Sequence, residues 1–96
     1  MDMGLNAEMI EELGLSEGDL IEINFKQSNN TTHVSLPVYF LSLDVKENKI
    51  NYAEEKYYTG GIIQFGTKNN KDISELEEVI KEGSISKVRV SALIKC

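Results

Sequence analysis

Cysteine, histidine, proline and arginine each occur once in the 96 residues, as Cys96, His33, Pro37 and Arg89. A single cysteine at the last position excludes an internal disulfide and a cysteine-based zinc cluster, and a thiol nucleophile is not expected there. A single histidine excludes a metal site with two imidazoles and leaves no spare base for a Ser-His-Asp set. Within Thr31-Thr32-His33-Val34 it reads as a strand-edge or surface residue. Long apolar runs are missing as well. The longest is the four residues from Val38 to Leu41, against about 20 needed to cross a bilayer. The first 25 residues contain neither Lys nor Arg and no apolar stretch of signal type, so neither a secretory signal nor a mitochondrial presequence is expected, and the expected compartment is the cytoplasm.

What is present is a globular balance, 41% hydrophobic and 27% charged, in a chain long enough for one small core. A single domain over residues 1–96 is expected. The net charge of -6 is unevenly spread. Residues 1–25 hold Asp2, Glu8, Glu11, Glu12, Glu17, Asp19 and Glu22 with no cation, whereas residues 26–71 carry six Lys against four acids. An acidic surface repels phosphate backbones and acidic lipid and attracts basic partners; it also keeps a small protein soluble.

Asn6 is placed to cap a short helix over about 7–13, with Leu5 stapling onto Ile10. Gly14 then supplies the left-handed residue that stops the helix, and Leu15 folds back onto Ile10. Ser16-Glu17-Gly18-Asp19 reads as a tight turn, and Ile21, Ile23 and Phe25 alternate with polar residues as a strand. Residues 26–32 read as a loop or hairpin tip. The stretch from Val34 to Val45 is strand-like, with Pro37 requiring an edge, a break or a start. A turn at Lys46-Glu47-Asn48-Lys49 leads into a strand from Ile50 to about Ala53, Gly60-Gly61 precedes a short strand from Ile62 to Phe65, and residues 68–71 read as a polar turn. Ile73, Leu76, Val79 and Ile80 make a helical stripe, so a second helix is expected over 73–82, capped by Asp72 or Ser74 and ended by Gly83. Alternation over Val88, Val90, Ala92 and Ile94 gives the last strand. The expected fold is α+β and mostly β, a small barrel or strongly curved sheet with two short helices. Its expected core is Leu5, Ile10, Leu13, Leu15, Ile21, Ile23, Phe25, Val38, Phe40, Ile63, Phe65, Leu76, Ile80, Val88, Val90 and Ala92.

The segment from Asn6 to Ile23, with Leu13-Gly14-Leu15 and Gly18-Asp19 at its centre, resembles a module of two groups of small barrels. These are the double-psi β-barrels, such as the amino-terminal domains of the valosin-containing class of AAA ATPases, and the AbrB-type swapped-hairpin DNA-binding proteins. The first resemblance implies a recognition domain for adaptors or substrates, and the second a DNA-binding dimer. AbrB-type binding uses basic residues near this module, whereas here the first cation is Lys26; duplex binding needs several phosphate-neutralising cations.

No set of residues advertises catalysis. Glu11-Glu12, Glu54-Glu55 and Glu77-Glu78 are sequence neighbours, which diverge on a helix and on a strand, and Gly60-Gly61 with Gly66 lacks the spacing of a phosphate loop. No catalytic residue, metal ligand or cofactor is expected. Tyr57 and Tyr58, beside a flexible turn, fit an interface, with one of the two expected in the core. The expected function is that of a non-enzymatic protein-binding module. Its contact residues are Glu8, Glu11, Glu12, Glu17, Asp19, Glu22, Tyr57 and Tyr58, and its partner is a protein with a basic surface, engaged in the manner of a nucleic-acid-mimicking inhibitor of phage type. An AbrB-type transcription regulator and a small enzyme are the alternatives.

Overall fold

The computed structural model describes residues 2–3, 5–25, 35–83, 87–91 and 93–94. The chain runs β1 (Asp2–Met3), α1 (Ala7–Glu11), β2 (Leu20–Phe25), β3 (Ser35–Asp44), β4 (Lys49–Thr59), β5 (Ile62–Asp72), a 3-10 turn (Ile73–Glu75), β6 (Leu76–Lys81), β7 (Val88–Ser91) and β8 (Leu93–Ile94). Six strands form one antiparallel sheet in the order β5-β4-β3-β2-β6-β7, and β1 pairs with β8 separately. The expected small barrel or strongly curved sheet with two short helices is therefore corrected: the fold is mostly β, but the sheet is not closed, and among the described residues there is one short α-helix and one 3-10 turn. His33, the 26–32 loop, Val34, Ala92 and Cys96 lie outside the described residues.

The α1 signals act as their chemistry requires. The Asn6 side chain accepts from the Met9 N–H at 3.0 Å, and Gly14 adopts φ +67. Regular helix ends at Glu11, two residues short of the expected Leu13; Leu13 and Gly14 continue it only as i→i+3 turns onto Ile10 and Glu11. Ala7, Ile10 and Leu13 bury one side of this element in a cluster with Leu5, Ile21, Ile23, Val38, Phe40, Ile50, Tyr52, Ile73, Leu76 and Val79.

The second expected helix is a single 3-10 turn followed by strand β6. The cause is a β-bulge. Asn24 pairs with Glu78 and Phe25 with Leu76, which leaves Glu77 as the extra residue. One extra residue puts Leu76 and Val79, three apart in sequence, on the same sheet face, so a helical spacing is read out by a strand. Asp72 makes no side-chain cap and instead pairs with Lys49 at 3.3 Å.

The polar run 66–71 is likewise strand, paired with β4 from Lys49 to Thr59. As the outer strand it needs no apolar alternation, because its open side is wet. Pro37 fits an edge: it is the third residue of β3 and sits opposite Glu22, in the part of the strand that does not pair with β4, whose pairing starts at Tyr39. Of the expected core, Ile63 and Val88 are exposed, and Leu15, Phe25, Phe65 and Val90 are half-buried. Ala7, Ile50, Tyr52, Ala53, Ile73 and Val79 are buried in addition.

The connection from β5 to β6 constrains the sheet's shape. Four residues from Asp72 to Leu76 span at most about 14 Å, while β5 and β6 lie four strand spacings apart, about 19 Å if flat. The strands must converge at that end, which wraps the core face around α1. At the other end β4 and β5 outrun the sheet, and the molecule is 52 Å long against 30 and 28 Å across.

Candidate functional site

Burial of Ala7 and Ile10 fixes the rotation of α1, so Glu8, Glu11 and Glu12 face solvent. Residues three and four apart on a helix have Cβ atoms about 5–6 Å apart, which makes these three carboxylates a compact group. Glu17 is exposed in the turn that follows. Among the described residues, none of these four makes an ion pair.

That turn is rigid. Gly18 takes φ +93, the Ser16 N–H donates to Asp19 Oδ2 at 2.8 Å, and the Gly18 N–H donates to the Phe40 carbonyl at 2.7 Å while the Phe40 N–H donates to the Asp19 carbonyl at 2.8 Å. Lys81, at the end of β6, lies 3.7 Å from Asp19 Oδ2 and donates to the Gly14 carbonyl at 3.3 Å. Asp19 is therefore partly neutralised. Glu22 points away from α1, since it shares its sheet face with Pro37 and Ile80 rather than with Ile21 and Ile23, and it accepts from the Ser35 hydroxyl. The structure thus groups Glu8, Glu11 and Glu12 on α1 and its C-cap, leaves Glu17 exposed in the following turn, engages Asp19 in that turn, and sets Glu22 apart.

Tyr57 and Tyr58 are both exposed, correcting the expectation that one of them enters the core. The reason is that the β4–β5 ribbon leaves the sheet: β3 pairs with β4 no further than Ala53, so neither face beyond it is covered by a neighbouring strand. Lys56 ties the base of this ribbon to the acidic turn. Its Nζ donates to the Gly18 carbonyl at 3.0 Å and lies 5.7 Å from the centre of the Tyr39 ring. Sequence reasoning missed Lys56, because nothing local in Glu54-Glu55-Lys56 marks a contact 38 residues away.

A second polar cluster was also missed. Asn24, buried in β2, donates from Nδ2 to Glu78 Oε1 at 3.0 Å, and Ser91 Oγ donates to Glu78 Oε2 at 3.2 Å. Arg89 Nε sits 3.1 Å from the same oxygen. Three donors on one carboxylate tie β2, β6 and β7 together. The signal was Asn24 itself, an amide in a strand otherwise rich in Ile and Phe, since a buried amide must find a partner.

Among the described residues, no three His, Cys, Asp or Glu side chains are grouped to hold a metal ion, and no helix is long and apolar enough to cross a membrane. Tyr52 has its phenol pKa raised by burial, with the carboxylates of Glu54 and Glu75 adding to the effect. Comparison of the chain with protein-family models, with curated proteins and with solved structures gave no match.

Proposed function

We propose that the protein is a non-enzymatic binding module that presents the outer surface of α1 and the following turn to a basic surface of another protein, competing there with nucleic acid. The observation that carries this reading is the exposure of Glu8, Glu11 and Glu12 on one capped, core-anchored element, and of Glu17 in the turn after it, with no cation partner among the described residues. Like charges at i, i+4 cost a helix a few tenths of a kcal/mol, and Glu8 and Glu12 stand at that spacing. A cationic partner turns this repulsion into attraction and steers association. Asp19 and the buried Gly18 fix the turn so that Glu17 extends the same surface; Glu22 belongs to the opposite sheet face and takes no part. Duplex binding of the AbrB type would need several cations on this surface, where among the described residues Lys81 and Lys56 stand near, both engaged with the turn.

The test is binding of a lysine-rich peptide, read by fluorescence anisotropy over a range of salt. Replacing Glu8, Glu11 and Glu12 together with Gln preserves helix propensity and removes three charges. Affinity is expected to fall about tenfold and the salt dependence to flatten. Unchanged affinity with unchanged salt dependence would contradict the proposal.

A further inference from the structure

The end of the β4–β5 ribbon carries a surface of another kind. Tyr57, Tyr58, Ile62 and Ile63 are exposed to 46%, 71%, 63% and 42%. The turn between the strands is Gly60-Gly61, both at positive φ, 60 and 81, the two-residue geometry that matches strand twist. Tyr58 stands opposite Ile63 on one face, while Tyr57 opposite Gln64 and Thr59 opposite Ile62 line the other. Both faces of the ribbon's end therefore carry large apolar side chains and no charge, and among the described residues nothing pairs with the outer edge of β5.

From Tyr57 to Thr67 there is no charged residue and no proline. Exposed edges are ordinarily guarded by charge or proline; on β5 the charges Lys68, Lys71 and Asp72 come only further along the strand, and residues 62–67 have neither. In a chain of net charge -6, an uncharged exposed run is where two copies approach with least repulsion. We propose that the ribbon is a self-association site, in which β5 of one copy pairs antiparallel with β5 of a second. The register that places Gln64 on the two-fold sets Ile63 of each copy beside Phe65 of the other, with the Tyr58–Ile63 pairs flanking them on the same face. The four side chains offer on the order of 400 Å² per chain. Twice that, about 800 Å², is below the roughly 1,200–2,000 Å² of stable complexes, so the dimer is reversible and forms at micromolar concentrations or above.

The experiment is sedimentation velocity of the full chain across micromolar to millimolar concentration, at about 0.05 M and about 0.5 M salt. A monomer–dimer equilibrium is expected, with the dimer favoured or unchanged at the higher salt because screening relieves repulsion between acidic copies. That is opposite to the salt dependence of the basic-partner interface, so the two proposals fail separately. Ile63→Asp, at an exposed position, should keep the circular dichroism of the parent and weaken the dimer about tenfold or more. Gln64→Cys in a Cys96→Ser background should form a covalent dimer under mild oxidation, since directly opposed strand residues have Cα atoms about 4.5–5.5 Å apart, within disulfide reach. A chain that stays monomeric to millimolar concentration, or a dimer indifferent to Ile63→Asp, overturns the proposal and leaves the ribbon to a different partner.

Discussion

Asn48 shows how much one side chain can connect. It adopts a left-handed φ of 57, its N–H donates to the Val45 carbonyl and its own carbonyl accepts from the Ile73 N–H, and its Oδ1 accepts from the Ala7 N–H at 2.9 Å. The β3–β4 turn, the start of α1 and the 3-10 turn meet at this residue. Asn48→Gly should lose the side-chain hydrogen bond alone, about 1 kcal/mol, whereas Asn48→Ala should lose it and also strain the backbone, about 2–3 kcal/mol. Equal costs in urea denaturation would deny the left-handed conformation. Ile23, fully buried between β3 and β6, should cost about 2–5 kcal/mol when replaced by Ala; a variant as stable as the parent would put the β2 register wrong. Tyr52 gives a pH signature. With its pKa raised above 10.0 in the fold, the folded state holds the phenol proton after the unfolded chain has released it. The contribution to stability is complete below pH 10 and is lost as pH rises through the folded pKa. Urea midpoints between pH 8 and about 11 should therefore fall more steeply for the parent than for Tyr52→Phe.

At the scale of elements, segments whose start, stop and buried face are all set locally were legible, and segments set by distant pairing were not. In α1 and β2, Asn6, Gly14, Gly18 and the Ile21/Ile23 alternation each act through neighbours, and each is found in its expected role. In β6 the apolar spacing is helical, and only the pairing of β2 across the bulge at Glu77 makes it a strand. In β5 the polar residues 66–71 carry no strand pattern, because an outer strand takes its form from β4. The candidate site divides in the same way. The carboxylates of α1 were legible from one helix's phase, whereas Lys81 beside Asp19 and Lys56 on Gly18 come from far along the chain. Hydrogen exchange checks this assignment. Amides of β2 and β6, paired on both sides, should be the slowest, and those of Ile62 to Thr67 among the fastest. Helical i→i+4 contacts within residues 73–81 would contradict it.

For the whole molecule, the two proposed surfaces differ in chemistry. One is carboxylate on a small helix docked against the core face, and the other is an uncharged ribbon that continues beyond the end of β3–β4 pairing. The Lys56 contact to Gly18 joins the base of the ribbon to the acidic turn, so a partner on one surface stands near the other. The central claim is that the acidic surface of α1 and its turn is a defined docking site and not merely a source of negative charge. An amide chemical-shift map recorded while a lysine-rich peptide is added tests this most directly. Shifts concentrated in Ala7 to Asp19, and quenched by adding salt, are the predicted result. Shifts spread evenly over Glu47, Glu54, Glu75 and the other exposed acids would contradict it, and would reduce the -6 charge to a solubility device.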